Sequence, residues 1–283
     1  MPSNGRNPAT SHPSIFAEST PRDPAMGNTG AVLRRLLPVL LLLLTGCGGG
    51  APAAAADPVE LLDRWRDAMA HQGSVRFEVD TRAEGRDPWH TTWSGVLHLA
   101  TSGFLGTTKD SDVTMRHESK YGRSGYHVVD FDDTRETYVE HTRLRLPVGK
   151  SFVRLDRDTQ VPWVWDLTRQ ISMDSNDFHP SALFGDLDRD TLRLVAATGD
   201  RYVLAAGRAE ESNPATSASS EVTLTVWTDD ADRVTRAEQS SVGEDRQQHH
   251  TTTVFADWGA APPVRRPPAD TVAGMAEVTW SPR

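Results

Sequence analysis

Cysteine is nearly absent from this 283-residue chain, which contains only Cys47. A single cysteine excludes an internal disulfide framework and any zinc site that is built from several cysteines. Long apolar runs are also scarce, because the one such run, residues 36–44, has nine residues, whereas a membrane-spanning helix needs about 20. Together with a mean hydropathy of −0.50, this excludes a protein that crosses a membrane several times.

Positive charge is limited as well, with 30 Lys and Arg residues against 39 Asp and Glu residues and a net charge of −9. This acidic balance argues against a nucleic-acid binder, because such proteins need basic side chains to contact phosphates. The chain does contain eight Trp, eight Phe and four Tyr residues. That supply of large apolar side chains indicates a folded core and argues against disorder throughout.

Motifs of catalysis and metal binding are also missing. There is no Gly-x-Ser-x-Gly turn and no glycine-rich phosphate loop. Residues 186–190 begin like a calcium loop, but Thr191 replaces the required Gly and Ala197 replaces the required Glu. His249 and His250 are adjacent, so on a strand they point to opposite faces. We therefore predict that the protein is not an enzyme and has no metal site.

The beginning of the chain has the layout of a secretory signal. Met26 opens a better-formed leader than Met1, and the pair Arg34-Arg35 directly precedes the apolar run of residues 36–44. Basic residues followed by a short apolar stretch are typical of a signal peptide. We expect the true start at Met26.

The apolar run ends in Leu44-Thr45-Gly46-Cys47, which resembles the lipobox of bacterial lipoproteins. The resemblance implies cleavage between Gly46 and Cys47 and a diacylglycerol joined to the Cys47 thiol, with no other cofactor. A free buried cysteine behind an ordinary signal peptide is the alternative. Without residues 1–46 the chain carries a net charge of −11, so an anionic membrane would repel it and the lipid would supply the attachment.

The sequence divides into four parts. Residues 1–46 are expected to be a disordered leader with the signal peptide, and residues 47–56 a Gly/Ala tether. Residues 57–270 are predicted to form one folded domain, and residues 271–283 a tail. We expect a monomer that is secreted and anchored by lipid to the outer face of the cytoplasmic membrane.

The folded part is predicted to start with one helix. Asp57 can cap it, Pro58 suits its first turn, and Gly73 is expected to end it. Its apolar side chains fall on one face at helical spacing, as expected of a helix that docks on a core. These side chains are Leu61, Leu62, Trp65, Ala68 and Met69.

The hydrophobic period then changes to two, as in Val75, Phe77 and Val79, and polar turns separate the alternating runs. This pattern is typical of antiparallel strands in meander order. About ten strands and two or three helices predict an α+β fold, in which helices pack on the concave side of a strongly curved sheet or half-barrel. Four prolines between residues 262 and 268 are expected to prevent further regular structure.

The large apolar side chains on the strands and in the centre of the chain suggest an apolar ligand cavity. The alternative is that these side chains simply fill the core. The cavity candidates are Phe77, Val79, Trp93, Leu97, Leu99, Met115, Trp163, Trp165, Val222, Leu224 and Val226.

Five short motifs behind the lipobox carry a family resemblance. They are Gly-Ser-Val-Arg-Phe at residues 73–77, Tyr-Val at 138–139, Gly-Lys-Ser-Phe-Val-Arg-Leu at 149–155, Trp-Thr-Asp-Asp at 227–230 and Phe-Ala-Asp-Trp-Gly at 255–259. The chain resembles actinobacterial envelope lipoproteins of the LppX/LprG type, which have the LolA/LolB fold.

The resemblance implies a half-barrel of about eleven antiparallel strands that binds or carries a lipid, a lipoprotein or another apolar ligand. It implies no catalytic residue. The alternative function is a protein-binding scaffold or sensor accessory in the cell envelope, without a ligand cavity.

Overall fold

The computed structural model describes residues 57–100, 108–155, 164, 167, 178–185, 187–207, 221–242 and 247–281. The predictions for Gly46, Cys47, Trp163 and Trp165 fall outside these residues. Within them, no helix is both long enough and apolar enough to span a membrane.

The predicted helix is present as α1, Pro58–Ala70. The Asp57 side chain caps it by accepting a hydrogen bond from the Val59 amide at 2.8 Å, which satisfies one of the free amides of the first turn. The helix ends at Ala70, with His71 as its C-cap, and so stops short of the predicted end at Gly73. Its buried stripe comprises Leu61, Leu62, Trp65, Met69 and Ala70.

The strands dominate the structure. The first seven are β1 Ser74–Glu84, β2 Trp89–Leu99, β3 Thr108–Ser119, β4 Gly122–Phe131, β5 Glu136–His141, β6 Leu144–Arg145 and β7 Phe152–Leu155. The others are β8 Arg193–Thr198, β9 Arg201–Gly207, β10 Glu221–Thr228, β11 Val234–Val242, β12 Gln248–Ala256, β13 Val272–Ala273 and β14 Thr279–Trp280. Short 3₁₀ helices cover Pro180–Phe184, Ala269–Thr271 and Met275–Glu277.

Twelve of these strands form one curved sheet that does not close, in the order β13-β7-β5-β4-β3-β2-β1-β12-β11-β10-β9-β8. The predicted curved sheet is therefore confirmed, but the predicted ten or eleven strands are too few. The pairing is also not wholly antiparallel, because β13 runs parallel to β7. The prediction that the prolines prevent further regular structure is wrong, because the chain after Pro268 returns to the sheet, where β13 pairs with β7 and β14 pairs with β6.

The two faces of the sheet differ. We call the face that bears Val75, Phe77 and Val79 the covered face, because these side chains belong to one buried cluster with the apolar stripe of α1. The opposite face, which we call the open face, bears polar residues such as Asp80 and Glu78 on the same strand. This alternation is the period-two pattern of the sequence.

Two glycines allow close approach between neighbouring strands. A side-chain carbon at Gly95 on β2 would collide with the Asp112 carbonyl oxygen of β3, and one at Gly125 on β4 would lie 2.6 Å from the Met115 oxygen. Glycine inside a strand often marks a close backbone approach or a bend. Gly95 and Gly125 therefore let three adjacent strands pack more tightly than side chains would allow.

The C-terminal residues reach both faces of the sheet beside β5 and β7, because Ala273 and Val278 belong to the core cluster of the covered face. Val264 and Val272 pack on a second apolar cluster of Val129, Phe131 and Tyr138. Trp280 lies over His141, with the ring centroids 5.1 Å apart. The end of the chain is therefore part of the packed fold in this region.

Candidate functional site

The covered face is the candidate site, because the structure brings most of the predicted cavity residues together there. Nine of the eleven lie in the described part of the chain, and all nine belong to the single core cluster with 0–6% of their surface exposed. They are Phe77, Val79, Trp93, Leu97, Leu99, Met115, Val222, Leu224 and Val226. Other parts of the chain itself cover these side chains, as in a packed core.

An aromatic layer lies between α1 and the sheet. Trp65 of α1 contacts Tyr202 of β9 edge-on at 5.1 Å between centroids and Phe184 at 6.0 Å. Phe77 of β1 is stacked on Phe178 at 5.0 Å, with an angle of 10° between the rings. Residues 178–185, which contain the first 3₁₀ helix, therefore join α1 to the centre of the sheet. We call them the inner segment.

Two buried indoles of the core cluster meet no hydrogen-bond acceptor among the described residues. Trp65 is fully buried and Trp93 is 5% exposed, yet neither Nε1–H meets an acceptor in the structure as described. Trp258 shows the ordinary arrangement, since its Nε1–H donates to the Val234 carbonyl at 2.9 Å. Leaving a buried donor unpaired costs about 1–3 kcal/mol, so two such groups in one core need a physical reason.

His179 supplies a third buried donor. Its Nδ1 lies 3.2 Å from the Ser181 amide nitrogen, which can only donate, so Nδ1 is the acceptor. Burial lowers the pKa of His179 to about 4, so the ring is neutral near pH 7 and carries its proton on Nε2. That Nε2–H is buried and meets no partner among the described residues.

The covered face becomes polar towards one end. Thr81 stands opposite Thr91 and Thr251 on the neighbouring strands, and the Thr81 and Thr251 hydroxyls are 3.2 Å apart. Thr91 is 5% exposed, and its hydroxyl lies 2.8 Å from His117 Nδ1. The strands therefore present apolar side chains at one end and hydroxyl and imidazole groups at the other, as an amphipathic ligand requires.

A depression of about 480 Å³ lies at the polar end. Ala83 and Trp89, which face each other across β1 and β2, contribute to its wall. The remaining lining comes from Arg82, Glu84, Pro88, His90 and Glu118. Both signs of charge are present there, so the depression selects no simple anion or cation by charge alone.

A second groove of about 510 Å³ lies beside the C-terminal residues. Arg154 and Arg266 contribute to its lining, together with Tyr138 and small or apolar residues between 267 and 275. Arg266 is held in place, because its Nε donates to Glu136 at 2.7 Å and its guanidinium lies 4.5 Å from the centroid of the Phe131 ring. This arrangement explains the attachment of the C-terminal residues to the sheet.

Metal-binding geometry does not occur among the described residues, where no three His, Cys, Asp or Glu side chains converge. Instead, histidines on the open face pair with carboxylates: His90 lies 2.7 Å from Asp80, and His127 lies 2.7 Å from Asp112 and 4.0 Å from Glu140. Asp188, in the calcium-like stretch, accepts hydrogen bonds from the Asp190 amide and the Thr191 hydroxyl of the same turn.

Comparison with known proteins adds little. No family model and no curated protein matches the chain. Solved structures that match it are MucB with MucA(peri), MucB alone, and the Pseudomonas aeruginosa MucA/MucB complex, with 16% identity and TM-scores of 0.31, 0.30 and 0.26. The matches cover 76%, 80% and 80% of this chain, but only 60%, 66% and 64% of those chains.

The chain thus spans less than two thirds of the MucB chains that it matches. TM-scores this low do not establish a shared fold, and we assign nothing to this chain from MucB. The LppX/LprG resemblance has no counterpart among these matches, so it stays a prediction.

Sequence reasoning missed the buried donors. Trp65 was placed in the helix stripe as an ordinary core residue, and Trp93 among the cavity candidates for its apolar area alone. His179 was not singled out at all, although it directly precedes Pro180 and an apolar stretch, as an N-cap residue does. Whether an indole N–H meets an acceptor depends on tertiary packing, which period and composition do not report.

Proposed function

We propose that the protein is a lipid-anchored lipoprotein on the outer face of the cytoplasmic membrane that binds a lipid or another apolar ligand. The observation that carries this proposal is the set of buried N–H groups of Trp65, Trp93 and His179, for which the described residues offer no acceptor. A core made only for stability would pair these donors or replace them with apolar groups. A bound molecule supplies acceptors from outside the chain.

The gradient of polarity along the covered face supports the same function. Apolar side chains around Phe77 and Leu97 suit acyl chains, and the hydroxyls around Thr81 and Thr91 suit a more polar end of the ligand. Ligand sites are commonly apolar with a few well-placed polar groups. No catalytic step and no metal are part of the proposal.

Anchoring by Cys47 is the second part of the proposal, and its support is the lipobox-like stretch Leu44-Thr45-Gly46-Cys47. One acyl chain holds a protein only weakly, whereas two or three hold it firmly. The Cys47→Ala protein should therefore move from the membrane fraction to the soluble fraction after cell lysis. The anchoring proposal fails if Cys47→Ala stays in the membrane while the wild type lacks the mass of a diacylglycerol.

Ligand binding is tested by quenching of tryptophan fluorescence with phospholipid vesicles whose acyl chains carry bromine. Bromine quenches only indoles that it approaches closely, so a lipid on the covered face should quench the emission of Trp65 and Trp93. The matched controls are vesicles with unbrominated chains and the Trp93→Phe variant, which should show a smaller quenched fraction. Unchanged emission with brominated vesicles counts against lipid binding.

Protein binding is the second candidate, and strand β8 is the observation that favours it. β8 is the last strand at its end of the sheet, and five of its six residues are exposed, including Val195 at 54%. An uncovered edge strand can pair with a strand from another chain. One stoichiometric partner that is lost in a Val195→Pro variant, on a protein that carries no lipid, would favour this candidate.

A further inference from the structure

We propose that the groove beside the C-terminal residues binds a small amphiphilic carboxylate. Arg154 holds the charged end of this ligand, and the apolar part lies against the lining between residues 267 and 275. The inference does not depend on ligand binding at the covered face, because the two sites share no residue. It assigns a role to an arginine that meets no carboxylate among the described residues.

The floor of the groove comes from two neighbouring strands. Tyr138 of β5 pairs with Arg154 of β7, so both side chains point to the same face of the sheet. This is the open face, because Val139, the next residue along β5, belongs to the core cluster of the covered face. The groove has a volume of about 510 Å³, which is a usual size for a small-molecule pocket.

The C-terminal residues supply the rest of the lining, and most of it is apolar. Met275 is partly buried against the core cluster, and Val272 packs on the second apolar cluster. Neither Asp nor Glu occurs among the described residues that line the groove. The lining residues from this part of the chain, besides Arg266, are Pro267, Ala269, Val272, Ala273, Gly274 and Met275.

The two arginines of the groove differ in their partners. Arg266 forms an ion pair with Glu136 at 2.7 Å, so these two charges balance. Arg154 is exposed and forms no ion pair with any carboxylate of the described residues. The hydrogen bond from Arg266 lowers the pKa of Glu136, and the charge of Arg154 lowers it further, which places Arg154 near this pair. The groove therefore offers one positive charge that nothing in its lining balances.

A carboxylate complements this charge. A guanidinium presents its N–H donors in a planar fork that matches the two oxygens of a carboxylate. One negative charge balances Arg154, whereas a second one would meet the carboxylate of Glu136. The apolar lining adds hydrophobic contact for a short hydrocarbon part. Only a ligand with both a single negative charge and an apolar part uses the whole groove.

The test is a calorimetric titration of octanoate into the full chain that carries Cys47→Ala, which lacks the thiol proposed for lipid attachment and needs no detergent. Acetate keeps only the charge of octanoate, and octan-1-ol keeps only its apolar chain. We expect octanoate to bind more tightly than either compound. Arg154→Gln should weaken octanoate binding by about three- to tenfold, because it removes charge-assisted hydrogen bonds at a partly exposed site.

Arg116→Gln is the matched control. Arg116 is also an exposed arginine, but it lies on β3 and does not line the groove, so this variant should bind octanoate as the wild type does. Arginine Nε–H resonances in protein labelled with ¹⁵N-arginine give a second measurement, which does not depend on affinity. One resonance should shift when octanoate is added but not when octan-1-ol is added, and its absence from the Arg154→Gln spectrum assigns it.

The outcomes separate this site from the covered face. Equal octanoate binding by the wild type and by Arg154→Gln overturns the proposal, as does an unchanged Arg154 resonance, and both results leave the proposed function standing. Acetate that binds as tightly as octanoate overturns the contribution of the apolar lining. Octan-1-ol that binds as tightly as octanoate overturns the role of the Arg154 charge.

Discussion

Replacing Gly95 with alanine should destabilise the fold, because β2 and β3 approach each other closely at this point. The new methyl carbon would lie 3.0 Å from both the Asp112 carbonyl carbon and the Val113 Cα, and closer still to the Asp112 oxygen. Carbon atoms normally keep about 3.5–4.0 Å apart. All three obstacles are backbone atoms, so no side chain can rotate away, and the two strands must separate.

Overpacking of this kind costs about 1–3 kcal/mol, and we expect the upper part of that range because the sheet itself has to move. Urea unfolding followed by circular dichroism gives the free energy of unfolding of the wild type and of Gly95→Ala. The midpoint should fall while the dependence on urea stays the same, as for a change in native stability alone.

Gly73→Ala is the matched control, since a methyl group there meets no atom within 4 Å. The same substitution at this open position should leave stability unchanged or raise it by about 0.4–1 kcal/mol. If Gly95→Ala unfolds at the same urea concentration as Gly73→Ala, the close approach of β2 and β3 is wrong. The role of Gly95 in shaping the sheet would then be refuted.

Three further predictions concern the core and the C-terminal residues. Trp258→Phe should cost about 0.5–1.5 kcal/mol more than Trp93→Phe, because both lose the same buried ring volume but only Trp258 also loses a hydrogen bond. Urea unfolding of lipid-free protein compares the two variants. Burial lowers the pKa of His141 and of His179 to about 4, so between pH 4 and pH 6.5 the unfolded chain binds more protons than the folded chain. The free energy of unfolding should therefore be fully retained above pH 6.5 and should fall towards pH 4, by up to about 1.4 kcal/mol per pH unit for each histidine. Urea midpoints measured across this range check the prediction. Removing residues 278–283 removes Trp280, whose ring lies over His141, and so exposes the imidazole to water. The pKa of His141 should then rise from about 4 towards 6.5 in an NMR titration. An unchanged pKa would contradict the claim that Trp280 buries His141.

The elements that depend on neighbouring residues were predictable from the sequence. Asp57 caps α1 as its position before Pro58 indicated, and the alternation of Val75, Phe77 and Val79 placed β1 correctly. These signals are local, because a cap needs only the first turn and a strand face repeats every second residue. The curvature of the sheet followed from the number of alternating runs.

The elements that depend on distant residues were not predictable. The parallel pairing of β13 with β7 joins Val272 to Phe152, and the proline-rich stretch between them concealed it. The unpaired state of Trp65 and Trp93 also depends on where α1 and the inner segment meet the sheet. The sequence therefore predicted only the apolar side chains of the candidate site, and the buried N–H groups without acceptors among the described residues were found only in the structure.

Native mass spectrometry of the lipoprotein, purified from its own host without added lipid, tests the central claim most directly. The account predicts a second population, heavier than the anchored protein by the mass of one non-covalent apolar molecule. Collisional activation or organic extraction should release that molecule and leave the covalent diacylglycerol at Cys47 in place. A single population with the mass of the anchored chain alone, after purification gentle enough to retain lipid in a known lipid carrier, would contradict ligand binding on the covered face.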